Sequence, residues 1–333
     1  MMKAVTLSAH GGPENFHLTE LPLPLLRKGD VRIRVRSVSF NPVDYQIRKG
    51  GAESRNVTSP VLGRDLSGIV DAVHDSVGDF RPGDEVYSYV CDLASSGTYA
   101  EYVSVPEELV AKKPVTLSHD QAAAVPVAAI TAWLALDKAA RGRSLFIAGA
   151  AGGVGTFAIM LAHHRGIGAL TVTAGNPRSR AYLIENLTLA ESQIVNYRDE
   201  NFIAQALRRN GSLFDGVLDF VGGSMLAACC RLVAIDGNLA SITEAPAPAD
   251  VEHLFQRNGS FHAIGANAYS LTDDRNQWRR YQRMLGELAT LFDSGALAAP
   301  PVTIVGPLSV ETVCRAHDLL ECSAVQEKLV MRC

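Results

Sequence analysis

The stretch Ala148-Gly-Ala-Ala-Gly-Gly-Val-Gly155 decides how the rest of the chain is read. It follows an apolar run from Ser144 that reads as a buried strand, and it opens a segment from Gly153 to His164 that reads as a helix. In that context a glycine-rich turn is a phosphate cradle. Gly152 lets the backbone approach a pyrophosphate, and Gly155 lets the helix pack close to the strand. The free N–H groups and the helix dipole then hold the anion, so Ala151, Gly152, Gly153, Val154 and Gly155 are candidate cofactor-binding positions. Ala150 replaces the first glycine of the usual Gly-x-Gly-x-x-Gly, so the fingerprint alone is imperfect. The competing reading is a tight turn between strand and helix that binds nothing.

Working outward from this loop, strands and helices alternate. Ala169 to Thr173 reads as a second strand and Pro177 to Asn186 as a second helix, with proline at its first turn. Further strands are expected at Ile194 to Tyr197, Phe214 to Phe220, Asn238 to Ile242 and Ser260 to Gly265. That series suits the doubly wound parallel sheet of a Rossmann fold, an α/β class. A long helix is expected from Asn276 to Ser294, and another near Val310 to Leu320. The first 120 residues look β-rich instead. Val31-Arg-Ile-Arg-Val-Arg36 alternates apolar and charged residues, and Lys28-Gly-Asp30, Arg81-Pro-Gly-Asp84 and Ser95-Ser-Gly97 read as turns. The expected division is therefore 126–295 for the nucleotide domain, and 1–125 with 296–333 for a β-rich domain.

The end of the second strand selects the cofactor. An NAD enzyme places Asp or Glu about 20 residues after the loop, where it accepts from the ribose 2′-hydroxyl. No carboxylate occurs from Ala169 through Ala181, and the segment reads Gly175-Asn-Pro-Arg-Ser-Arg180. Gly175 and Asn176 with Arg178 and Arg180 suit a 2′-phosphate, hence NADPH. The plainer alternative is that the two arginines are solvated helix residues.

Composition narrows the classes. Across 333 residues, 47% are hydrophobic, 20% are charged and the net charge is −4. No basic excess is available to neutralise phosphates, so no nucleic-acid partner is expected. The longest apolar stretch, Ala122 to Leu136, is too short for a bilayer and carries Pro126, so no membrane partner is expected either. The start, Met-Met-Lys-Ala-Val-Thr-Leu, shows no apolar signal core. Six scattered cysteines include no Cys-x-x-Cys pair, and adjacent Cys229 and Cys230 read as small buried hydrophobes. A reducing cytoplasmic location fits.

Several motifs together resemble one family. They are Asn41-Pro-Val-Asp44, Gly63-Arg-Asp-Leu-Ser-Gly68, Arg81-Pro-Gly-Asp-Glu-Val86, Gly97-Thr-Tyr-Ala-Glu-Tyr102, Ala122 to Leu136, the Gly152 loop and Ile194-Val-Asn-Tyr-Arg198. The chain resembles the medium-chain dehydrogenase/reductase superfamily, and within it the zinc-free quinone oxidoreductases related to zeta-crystallin. The resemblance implies a GroES-like first domain closed by the C-terminal segment, an active site in the cleft between domains, and often a homodimer. It also implies that Thr131 lies beside the nicotinamide and that Tyr197 contacts the adenosine phosphate. Phe220 and Val221 fall where the chain passes the nicotinamide ribose, and Asn267 near the same face. Relatives have a shorter Leu-Gly-Ala turn before the third strand where this chain has Asn186-Leu-Thr-Leu-Ala-Glu191.

Zinc-dependent members carry ligands at positions that here match Asn41, Arg64 and Val127. Asn, Arg and Val do not make the ligand set a catalytic zinc needs, and the run of four cysteines that holds a structural zinc is absent, with Cys91 alone. Hydride added to an alkene or ring carbon leaves negative charge on oxygen, which calls for a donor and a proton source. Asn41, Tyr45 and Arg64, or a backbone N–H, are the candidates. Relatives carry a tyrosine one position later, at Gln46. Asp44 and Asp65 read as structural acceptors. The expected activity is an NADPH-dependent reduction of a small quinone or α,β-unsaturated carbonyl. The rivals are an alcohol dehydrogenase or enoyl-thioester reductase on the same fold, and a non-catalytic NADPH-binding sensor or structural protein.

Overall fold

The structure is a computed structural model. It describes residues 1–333 apart from 92–96, 141, 143, 323 and 324. The turn expected at Ser95-Ser96 lies outside the described residues. The chain divides into two compact units, Met1–Val127 with Asn267–Cys333, and Ala128–Ala266.

The first unit is built on β strands. A hairpin joins β1 (Met2–Leu7) to β2 (Phe16–Leu21). A curved sheet follows, from β3 (Asp30–Ser39), β4 (Asp65–Val73), β5 (Glu85–Tyr89), β6 (Tyr102–Pro106) and β7 (Val110–Lys112). It is closed by β14 (Val302–Pro307) and β15 (Lys328–Arg332) from the end of the chain. The order among the described residues is β14-β15-β3-β4-β5-β7, with β6 also on β3. In β3 the alternation works as the sequence implies: Val31, Ile33 and Val35 are buried, while Arg34 is exposed. The short helices α1 (Pro42–Arg48) and α2 (His119–Ala123) lead out of this sheet.

The second unit carries the parallel sheet. Its strands are β8 (Ser144–Ala148), β9 (Ala169–Ala174), β10 (Ile194–Asn196), β11 (Phe214–Asp219), β12 (Val233–Ser241) and β13 (Ser260–Ala263). Their order is β10-β9-β8-β11-β12-β13, all parallel. This is the 3-2-1-4-5-6 order of a dinucleotide-binding sheet. The helices are α3 (Pro126–Ala139), whose first two residues belong to the first unit, α4 (Gly153–His164), α5 (Pro177–Leu187), α6 (Phe202–Asn210), α7 (Gly223–Leu232) and α8 (Pro248–Phe255). One face of the sheet buries Phe146, Val217 and Leu239 against Leu226, Cys229 and Leu232 of α7. Cys229 and Cys230 are both buried with free thiols, as small hydrophobes would be.

Two features differ from the sequence expectation. Strand β12 starts at Val233, not Asn238, because its pairing with β11 shifts between Phe214 and Gly216 and the early residues show no alternation. The long helix, α9 (Arg275–Asp293), was expected with the nucleotide domain but packs within the first unit. Tyr87 Oη donates to Leu285 O at 2.5 Å, Gln282 Nε2 donates to Glu107 O, and Arg275 pairs with Glu108 at 3.3 Å. The last helix, α10 (Val310–Glu321), also belongs to the first unit.

Candidate active site

In the parallel-sheet unit, most of the expected cofactor-binding residues fall just past the carboxyl ends of adjacent strands. The Gly149–Gly155 loop follows β8, Gly175 to Arg180 follows β9, Tyr197 follows β10, and Phe220 and Val221 follow β11. Ligands of open α/β sheets bind at that edge, where the strand order reverses. Here the reversal lies between β8 and β11.

The glycines of the loop have different reasons to be glycine. Gly149 has φ +78°, and a Cβ there would press on Val221 and Phe220 at 3.1 and 3.2 Å. Its N–H donates to Thr173 Oγ1 at 3.2 Å. A Cβ on Gly155 would collide with the carbonyls of Gly149 and Ala150. Gly152 is different. Its backbone is extended, at φ −84° and ψ 172°, and it is the N-cap of α4. A Cβ there would meet only Gly149 O, at an ordinary 3.4 Å. The protein's own packing therefore does not require glycine at 152. The exposed face of that backbone leaves the room a phosphate needs, beside first-turn N–H groups that a helix cannot satisfy internally. The residues present fit a dinucleotide.

At the end of β9, Gly175 is buried under the Tyr197 ring, and a Cβ at 175 would overlap that ring. An acidic side chain at 175 and Tyr197 in this position exclude each other. Asn176 is the N-cap of α5, its Oδ1 accepting from Ser179 N at 2.8 Å. Arg178 is exposed on the first turn of α5. Arg180 is paired: its Nε lies 2.6 Å from Glu191 Oε1. The fourth strand ends on Asp219, which is fully buried. One carboxylate oxygen accepts from Val221 N and Gly222 N at 3.1 Å, and the other from Ser241 Oγ at 2.8 Å. Asp219 thus fixes the turn that carries Phe220 and Val221. Thr131 is buried on α3. Asn267 belongs to the other unit, where its carbonyl accepts from Ser270.

The first unit holds a buried polar cluster around Asp65, a fully buried residue at the start of β4. Asp65 accepts from Asn41 Nδ2 at 2.8 Å, Ser39 Oγ at 3.1 Å and Val127 N at 2.8 Å. Lys328 Nζ, from the first residue of β15, donates to Asn41 Oδ1 at 2.5 Å and Phe40 O at 3.1 Å, and lies 3.8 Å from Asp65. Burial pushes the Asp65 carboxyl up and the Lys328 ammonium down, and the attraction between them opposes both shifts. Asp44 is buried on α1 and accepts from Asn41 N at 2.8 Å. Burial pushes its carboxyl up to about 7. Arg64 donates to Glu53 at 3.2 Å and to Val90 O at 3.4 Å. Tyr45 is half-buried, with Lys49 Nζ 5.6 Å from its ring centre.

This donor set does not fit a dication. The Asn41 carbonyl already accepts from an ammonium, Arg64 brings a second positive charge, and Val127 contributes only its N–H. Sequence reasoning found Asn41, Arg64 and Asp65 but missed Lys328 and Asp219. Lys328 stands 287 positions from Asn41, and no local pattern announces the pairing. Asp219 was visible as an acid closing an apolar strand.

Comparison with known proteins agrees with this architecture. Residues 27–115 match the alcohol dehydrogenase GroES-like domain, and residues 189–331 match the zinc-binding dehydrogenase family. A 2-methylene-furan-3-one reductase of Solanum lycopersicum is 30% identical, over 99% of this chain and 79% of its own length. A quinone oxidoreductase of Sus scrofa is 27% identical, over 99% of this chain and 98% of its own. The crystal structure of a putative zinc-dependent alcohol dehydrogenase protein from Rhizobium etli CFN 42 superposes with a TM-score of 0.88 at 28% identity, covering 100% and 98% of the two chains. The chain belongs to the medium-chain dehydrogenase/reductase family of oxidoreductases.

Proposed function

We propose that the chain is an NADPH-dependent reductase of quinones or α,β-unsaturated carbonyls that needs no zinc. The observation that carries this reading is the Asn41 amide clamped between Lys328 and Asp65, at a position that the family resemblance matches to a zinc ligand. The orientation of that amide is fixed by chemistry: an ammonium can only donate, so Oδ1 faces Lys328, and a carboxylate can only accept, so Nδ2 faces Asp65. Nδ2 carries two protons, and Asp65 takes one. The second is the donor this reading assigns to the substrate oxygen. The Lys328 charge polarises the amide and strengthens that donor.

When bound, the nicotinamide supplies the hydride. The chain holds the cofactor through the Gly152 loop, reads its 2′-phosphate with Arg178 and Arg180, and packs Tyr197 beside it. Asn41 stabilises the charge that develops on the substrate oxygen. Arg64 adds a fixed positive charge near Asp44, and the Tyr45 hydroxyl is the proton source. Alcohol oxidation is disfavoured because it needs a group to lower the hydroxyl pKa, and the donor set here takes no metal. The names of the tomato and pig relatives support an enone or quinone substrate. The six free thiols suit a reducing cytoplasm, and a homodimer is the proposed assembly.

The test is NADPH oxidation against a small panel of quinones, enones and simple alcohols. Turnover of an enone or quinone well above any alcohol is expected. Robust alcohol oxidation with no activity on any quinone or enone would overturn the reading.

A further inference from the structure

The turn between α5 and β10 is built to present one carboxylate. Thr188 closes α5 in the left-handed region, at φ 53°. Leu189 is buried, and its N–H donates to Leu183 O at 3.3 Å. Gln193 Oε1 accepts from Ala190 N at 2.9 Å. From α6, Arg209 donates to Ser192 O at 3.1 Å and Glu191 O at 3.4 Å. The backbone of Glu191 is thus pinned on both sides. Its side chain reaches the first turn of α5, where Oε1 pairs with Arg180 Nε at 2.6 Å and also with Nη2.

We propose that Glu191 is a specificity-determining residue that competes with the cofactor's 2′-phosphate for Arg180. This rests on the reading of Arg178 and Arg180 as the NADPH-selecting groups. The Nε–Nη2 edge of a guanidinium serves one bidentate acceptor at a time. A phosphate arriving beside Gly175 must displace Glu191 from that edge or accept what remains with a carboxylate nearby. Either way it meets a penalty that a neutral ribose hydroxyl does not. NADH leaves the Arg180–Glu191 pair intact. Glu191 therefore lowers affinity for NADPH alone and narrows the preference that two arginines would otherwise give. The Glu191 side chain is 63% exposed, so the effect is that of a solvated pair, roughly 2- to 5-fold in affinity.

The experiment measures dissociation constants of NADPH and NADH for the full chain by fluorescence titration. The variants are Glu191→Gln, Arg180→Ala, Glu191→Gln with Arg180→Ala, and Arg178→Ala with Arg180→Ala. Circular dichroism checks that each is folded. Glu191→Gln should tighten NADPH by roughly 2- to 5-fold at low salt, leave NADH unchanged, and lose its effect in the Arg180→Ala background. NADPH binding that is unchanged or weaker in Glu191→Gln overturns the competition. If the two-arginine variant weakens NADPH while Glu191→Gln changes nothing, the competition alone fails. If the two-arginine variant changes neither constant, the arginine reading has failed and the competition falls with it.

Discussion

Lys328 Nζ sits 2.5 Å from Asn41 Oδ1 although the two residues stand 287 positions apart. The contact exists because β15 pairs with β3, Val330 opposite Ser39, and this brings the last strand beside the residues that open α1. A buried ammonium thus faces the amide and Asp65, and each of the three restrains the other two.

Removing one member of such a cluster leaves the others buried without a partner. Lys328→Met should therefore lose about 3 kcal/mol of unfolding free energy in urea titration at neutral pH, because Asp65 and the Asn41 carbonyl stay buried without the cation that pairs with them. A loss below about 1 kcal/mol would mean that solvent reaches Asp65 and that the cluster is looser than described.

Gly152→Val tests the dinucleotide loop. The extended backbone and the 3.4 Å clearance allow the side chain within the fold. The variant should stay folded yet show no cofactor binding, since the valine side chain would fill the approach to the pyrophosphate. Wild-type affinity in a folded variant would make the loop a turn and nothing more.

Cofactor choice depends on one phosphate. The combined Arg178→Ala and Arg180→Ala variant should weaken NADPH by roughly 10- to 100-fold and barely alter NADH, because a hydrogen bond to a charged group contributes about 1.5–3 kcal/mol. Direct titration of both cofactors measures this. A wild-type preference for NADH would contradict it.

Stability should depend on pH through His317 in a way that one variant exposes. His317 Nδ1 accepts from Arg48 Nε at 3.3 Å, so its proton is on Nε2, facing Tyr99 Oη at 3.1 Å. Burial first, and then the Arg48 charge, lower its pKa from 6.5 to about 3. The unfolded chain takes up a proton below about 6.5 that the folded protein refuses, so this contribution is lost as pH falls from 6.5 towards 3. Asp44 acts in the opposite sense. Its pKa is raised from 3.8 to about 7, so its contribution is full at low pH and is lost as pH rises through that window. His317→Gln removes the first slope. Relative to wild type, it should gain about 1.4 kcal/mol per pH unit as pH falls from about 6 to 4.5. Parallel stability curves for the two proteins would show that His317 titrates normally.

Much of the fold was legible because it is written locally. The Gly152 loop, the proline at the start of α5 and the apolar runs of β8, β9 and β11 are features of neighbouring residues, and each lies where its pattern places it. The early part of β12 was not legible, since a register shift and Asp236 at φ 58° break the alternation there. The candidate site was legible on one side only. Asn41 and Arg64 stand in short motifs, whereas Lys328 acquires its meaning from strand pairing across the whole chain. The longer turn ending at Glu191 could be seen in the sequence. Its pairing with Arg180 depends on how that turn folds back onto α5, which no spacing rule supplies.

Hydride delivery to an activated alkene, by a protein that needs no metal, is open to one direct measurement. It uses NADPH carrying two deuterium atoms at nicotinamide carbon 4, with a simple enone, in buffer containing a strong chelator. The product should carry one deuterium at the carbon β to the carbonyl, and the rate should match that without chelator. An unlabelled product, or activity that disappears with the chelator and returns only with added zinc, would contradict the account.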